Sequence, residues 1–166
     1  MILVSFSRFD RTRGAKDQIF PTLGPTFLSC PHGSGCFDNS PLLGSDCGGV
    51  INMESEQLKS PEFPNNYPND KICYWTITVP FGFSVTLDFE TFEVSLNASV
   101  CQYDYVEIRD GGDLTSKMLG KFCGDALPGS IRSTGNQLFV KFHSDKSYSR
   151  KGFSASFVAI PKGMFL

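Results

Sequence analysis

Five runs from Tyr74 onward alternate apolar and mostly polar residues one by one. Trp75, Ile77 and Val79 alternate with Tyr74, Thr76 and Thr78, and Val85, Leu87 and Phe89 with Thr86, Asp88 and Glu90. Val106 and Ile108 alternate with Tyr105, Glu107 and Arg109. Leu138, Val140 and Phe142 alternate with Phe139, Lys141 and His143, and Phe153, Ala155 and Phe157 with Ser154 and Ser156. A period of two puts one face of each run in a core and leaves the other wet, which is the signature of half-buried strands.

Turn signals separate the runs: Pro80-Phe81-Gly82, Asp110-Gly111-Gly112-Asp113, Leu127-Pro128-Gly129 and Thr134-Gly135-Asn136. Short strands at regular turn spacing predict an all-β domain, and one buried face per sheet predicts two antiparallel sheets packed as a β-sandwich. No stretch carries a helical period, which argues against an α/β fold.

Positions 1–46 read differently. Pro21, Gly24, Pro25, Pro31, Gly33, Gly35, Pro41 and Gly44 interrupt any regular element. This segment is read as an irregular extension or linker, 47–160 as the domain, and 161–166 as a short tail. The start, Met1 to Phe6, is apolar but too short for a signal sequence and is followed at once by Arg8, Arg11 and Arg13. The expectation is a fragment of a larger chain.

Composition sharpens this reading. Of 166 residues, 40 % are hydrophobic, enough for a core, and the 16 Phe and 5 Tyr favour strands. A net charge of -2 argues against a nucleic-acid partner, which needs a basic surface. No stretch is long enough to span a membrane as a helix.

There are 6 Cys. Cys47, Cys73, Cys101 and Cys123 are too widely spaced for a zinc site, whose ligands come in close pairs. They read as a disulfide framework of an oxidising compartment, with buried thiols as the alternative. Fifteen pairings are open to six cysteines. Cys30-Pro31-His32-Gly33-Ser34-Gly35-Cys36 reads as a small local disulfide loop; two Cys and His32 lack a nearby fourth ligand for a metal.

The order of motifs is specific. Cys47-Gly48-Gly49 is followed by Ser60-Pro61-Glu62-Phe63-Pro64-Asn65-Asn66-Tyr67-Pro68 and Cys73-Tyr74-Trp75. Then come Cys101-Gln102-Tyr103-Asp104-Tyr105-Val106-Glu107-Ile108-Arg109-Asp110-Gly111, Leu119-Gly120-Lys121-Phe122-Cys123-Gly124, Ser144-Asp145 and Gly152-Phe153-Ser154-Ala155. This series resembles a CUB domain from Cys47 to Ala159. The resemblance implies a two-sheet sandwich, bridges Cys47–Cys73 and Cys101–Cys123, and an extracellular, non-catalytic module that binds a protein, or sometimes a glycan, at its edge loops.

The resemblance also implies calcium, with Asp104 and Asp145 as acidic ligands, Ser147 as a nearby oxygen, and Tyr67 as the tyrosine that props the site. In such domains the acidic ligands can also grip a partner's lysine. One element departs from the pattern. The family motif of Phe, any residue, an aliphatic and Glu reads Phe92-Glu93-Val94-Ser95, so serine stands where the third carboxylate is expected. Glu93 lies two residues earlier, about 6.5 Å along an extended chain, and reaches the site only if the loop shifts. The expectation is calcium at a weakened site; the alternative for Asp104 and Asp145 is capping of turn N–H groups. Asn97-Ala98-Ser99 is an N-glycosylation sequon on the same loop.

Catalytic patterns are missing from the sequence. His143 falls at an outward strand position, and no metalloprotease or serine-nucleophile motif occurs. The alternatives to a protein-binding module are a substrate-docking fragment of a secreted protease, and a glycan- or phospholipid-binding adhesion protein of the seminal type. The last would be supported by exposed aromatics such as Tyr148 or Phe139. The sheet faces are not expected to form the site; Lys141 and Lys146 read as ordinary solvated charges, and Tyr103, Tyr105 and Tyr148 as packing residues or interface anchors.

Overall fold

A computed structural model describes residues 47–96 and 100–163. Cys30, Cys36, His32 and the sequon at Asn97 lie outside the described residues. Within them the chain forms β1 (Cys47–Ile51), β2 (Ser55–Lys59), β3 (Ile72–Thr78), β4 (Phe83–Glu93), β5 (Tyr105–Asp110), β6 (Lys117–Phe122), β7 (Ile131–Arg132), β8 (Gln137–His143) and β9 (Gly152–Pro161). There is no helix among them, and so none long and apolar enough to cross a membrane. The last strand runs through Pro161, one residue into the stretch read as a tail.

The strands make two sheets, one of order β1-β3-β8-β5-β6 and one of order β2-β9-β4-β7. Every pairing is antiparallel except β1 with β3, which is parallel, Cys47 lying opposite Cys73. The chain leaves β1, enters the other sheet as β2, and returns to the first as β3. An excursion of that kind brings it back in the same direction.

The core lies between the sheets. Trp75, Ile77, Val106, Ile108, Leu138, Val140 and Phe142 face Val85, Leu87, Phe89, Phe153, Ala155 and Phe157 from the other sheet. Phe153 is the hub: its ring makes edge contacts with Trp75 (5.9 Å) and Phe89 (5.8 Å) and a tilted one with Phe142 (6.0 Å). Such rings prefer edge-to-face geometry because the positive ring edge meets the negative face.

The alternation in β4 slips phase at Glu90. The register against β9 shifts between Phe89 and Thr91, the mark of a β-bulge. Val85, Leu87 and Phe89 point inward before the slip; Phe92 and Val94 point inward after it. The bulge thereby carries the core face to the end of the strand and hands the chain to the loop that holds Ser95.

Both expected bridges are formed, Cys47–Cys73 with Cα atoms 4.5 Å apart and Cys101–Cys123 with Cα atoms 5.5 Å apart. The first ties edge strand β1 to its neighbour. The second ties the β4–β5 loop to the end of β6. Closing loops of 26 and 22 residues stabilises the fold by about 3–4 kcal/mol each in the chain-entropy picture.

One expectation fails. Phe139 is not an exposed aromatic: only 3 % of it is accessible. Its ring stacks on Tyr74 across the β3–β8 pair, centroids 5.7 Å apart, on the outer face of the five-stranded sheet. Alternation puts Phe139 on the outer side correctly, but the Tyr74 ring stacks on it there.

Candidate functional site

Three loops meet at one end of the sandwich: 60–71 between β2 and β3, residues 94–96 and 100–104 between β4 and β5, and 144–151 between β8 and β9. Backbone bonds join the first and the third. The Tyr67 N–H donates to the Arg150 carbonyl (2.9 Å) and the Asp70 N–H to the Asp145 carbonyl (2.8 Å). Ser144 adds a side-chain link, its hydroxyl donating to the Pro68 carbonyl (2.8 Å) and accepting from the Lys71 N–H (3.0 Å).

Tyr67 is the centre of this junction. It is 1 % exposed and packs edge-on against Phe142, centroids 5.1 Å apart. Its hydroxyl donates to Oδ2 of Asp104 (2.7 Å) and accepts the N–H of Ser95 (3.1 Å). Burial pushes the phenol well above its ordinary value; the Ser95 N–H pulls the other way, and the Asp104 carboxylate beside it raises it further. The hydroxyl therefore stays protonated and serves as a fixed donor to the carboxylate.

Asp104 is 2 % exposed. Its second oxygen, Oδ1, accepts the N–H of Asp145 at 2.7 Å. Both oxygens are thus oriented by neutral donors, and a buried carboxylate requires such satisfaction. Asp145 is less buried; its Oδ1 accepts the N–H (2.8 Å) and its carboxylate the hydroxyl (3.2–3.3 Å) of Ser147. The two carboxylates, Ser95, Ser147, Leu96, Tyr103 and Tyr148 line an open cleft of about 370 Å³.

The cleft gathers Asp104, Asp145 and Ser147 and sets Tyr67 beneath them. Glu93 is not among its lining residues. Its carboxylate pairs with Lys151 (3.0 Å) and Arg150 (3.8 Å), still on β4 opposite Gly152. The loop does not bring it round. Ser95 does line the cleft, with its backbone at φ 66°, a left-handed conformation uncommon for a residue with a side chain. Leu96 was not foreseen, because a single apolar residue in a loop has no period to betray it. Tyr148 is 76 % exposed.

His143 is held on the outer sheet face, its ring stacked on Tyr105 (5.0 Å) and Nδ1 2.7 Å from the Tyr103 carbonyl. A carbonyl only accepts, so Nδ1 carries the proton.

A family model described as the CUB domain matches residues 47–157. The chain belongs to the CUB domain family. Its CUB domain is 47 % identical over 111 residues to a Bone morphogenetic protein 1 homolog of Strongylocentrotus purpuratus, covering 67 % of this chain and 17 % of that one. The chain thus spans less than a fifth of that relative's length. It is also similar to the full extracellular region of zebrafish Gpr126/Adgrg6, at a TM-score of 0.62 and 37 % identity, covering 69 % of this chain and 15 % of that one. A third likeness is to the MASP-1 CUB2 domain bound to Ca2+, at a TM-score of 0.60 and 34 % identity, covering 66 % of this chain and 96 % of that one. A CUB domain is a non-catalytic module, and this one is of the extracellular kind, in keeping with its two bridges.

The cleft's donors suit calcium in kind. They are all oxygens, and the two carboxylates carry a formal charge that matches a divalent cation. Each oxygen of Asp104 accepts one hydrogen bond from the protein and keeps a further lone pair. Among the described residues no three His, Cys, Asp or Glu side chains gather as a metal cluster.

Proposed function

We propose that this domain is an extracellular protein-interaction module that engages its partner at the end-loop cleft, in a calcium-dependent manner. The observation that carries the reading is the pair Asp104 and Asp145, two carboxylates held at one cleft by neutral donors. Asp104 and Asp145 would hold the ion, with Ser147 and water completing its 6–8 oxygens. When bound, the ion supplies a fixed positive charge that locks Asp104 to the 144–151 loop. The protein's own groups do the rest. Tyr67 orients Asp104, the Asp145 N–H fixes its other oxygen, and the unused carboxylate lone pairs face a basic side chain of the partner. Tyr103 and Tyr148 lie beside these acids and would flank an incoming lysine stem, as amphipathic rings do at interfaces.

A second reading is docking within a larger chain, favoured by the small share of the Bone morphogenetic protein 1 homolog that the match covers. It uses the same cleft. The test is to immobilise the full chain and pass a lysine-bearing peptide over it in calcium and then in chelator. Retention in calcium, released by chelator and lost in Asp145→Ala, supports the proposal. Retention indifferent to both overturns it.

A further inference from the structure

The outer face of the five-stranded sheet carries a charge pattern opposite to the end-loop cleft. Across β3, β8, β5 and β6 the registered row reads Tyr74, Lys141, Glu107, Lys121. Residues directly opposite one another share a face with Cβ atoms about 4.5–5.5 Å apart. The next row carries Thr76, Phe139, Arg109 and Met118.

The two lysines converge. The Lys121 ammonium sits 3.6 Å from the centre of the Tyr105 ring and that of Lys141 5.4 Å from the same centre. The carboxylate between them, Glu107, is buried and committed to Arg109, which also donates to the Ser116 carbonyl (2.7 Å). Neither lysine forms an ion pair among the described residues. Both ammonium groups thus lie near one ring, whose stacking partner is His143.

Beside them lies a shallow apolar cleft of about 360 Å³, bounded by Tyr74, Thr76, Leu114 and Phe139. Tyr74 belongs to both features: it lines the cleft and is the cross-strand neighbour of Lys141. Leu114, in the β5–β6 turn, is 45 % exposed at its edge. The one carboxylate at the cleft, Asp113, caps its own turn, accepting from the Thr115 N–H (2.8 Å) and hydroxyl (2.7 Å) and the Ser116 N–H (3.1 Å).

We infer that this face is a second docking surface, for an acidic segment of a protein partner whose apolar side chain enters the Tyr74–Leu114–Phe139 cleft while its carboxylates reach Lys121 and Lys141. Charge complementarity selects the anion, and the cleft selects a peptide over a sugar polyanion, because Tyr74, Leu114 and the small accessible part of Phe139 give it an apolar lining. The surface is independent of the end-loop cleft and of calcium.

The test uses the full chain and three probes in titrations at low and physiological salt: a synthetic peptide of Glu-Glu-Phe repeats, the same peptide with Ser for Phe, and heparin. The Phe peptide is expected to bind saturably, with amide shifts confined to residues around Tyr74, Leu114 and Lys141. The double variant Lys121→Glu/Lys141→Glu should weaken it roughly tenfold or more. The Ser peptide should bind several-fold less well, and replacing calcium with excess chelator should leave binding unchanged. The melting midpoint of the lysine variant confirms that it is folded. Absence of binding, or binding indifferent to the lysine reversals, overturns the inference. So does equal binding by the Ser peptide or heparin, which would make the face a general polyanion surface.

Discussion

The Tyr67 hydroxyl and the Asp104 carboxylate form a buried bond of 2.7 Å that joins the β2–β3 loop to the start of β5. The same hydroxyl accepts the Ser95 N–H, so one atom ties three parts of the cleft. Tyr67→Phe removes that atom and leaves a buried carboxylate oxygen and a buried N–H without it. The expected cost is about 1–3 kcal/mol, read as a lowered urea midpoint at unchanged slope.

The raised pKa of Tyr67 sets an alkaline limit. The fold favours the protonated phenol, so its contribution is whole below the ordinary tyrosine value of about 10 and is lost as pH rises beyond it. Between pH 9 and 11.5 the wild-type chain should lose stability more steeply than Tyr67→Phe, by on the order of 1 kcal/mol per pH unit at the steepest. Parallel curves for the two chains would remove Tyr67 from the account.

The five strands whose alternation is plain in the sequence, β3, β4, β5, β8 and β9, are the interior strands of their sheets. The four that leave no such trace, β1, β2, β6 and β7, are the edges. Lys117 to Phe122 shows why: its side chains are largely exposed, and backbone pairing with β5 holds it in place. An edge strand is set by its neighbour, so its own sequence need not alternate. The same limit applies at the cleft. Asp104, Asp145, Ser147 and Tyr67 could be named from a motif series, but the fate of Glu93 depended on the backbone staying extended to the end of β4.

Gly152 opens β9 at φ 83°, and a Cβ there would run into Ser60 and press on Tyr67. Gly152→Ala should therefore cost about 1–3 kcal/mol from the left-handed backbone and the contact together. Hydrogen exchange should show the loss reaching the Tyr67 loop, with the far end of the sandwich unaffected.

Ser95→Glu puts a third carboxylate at the cleft. With no ion, added repulsion from Asp104 and Asp145 and the left-handed backbone at position 95 should lower the midpoint. In calcium the variant should gain more than the wild type does, since affinity follows ligand charge. Glu93→Ala, by contrast, should leave the calcium response as it is, because Glu93 serves Lys151 and Arg150. A calcium response lost in Glu93→Ala would place that carboxylate at the ion after all.

The most direct measurement is the thermal midpoint of the oxidised full chain in about 2 mM calcium and in excess chelator, for wild type, Asp104→Asn and Asp145→Asn. An ion bound at a hundred times its dissociation constant stabilises the native state by about 2.7 kcal/mol. A clear upward shift is expected for the wild type and little or none for either variant. Identical wild-type midpoints in calcium and chelator would contradict it.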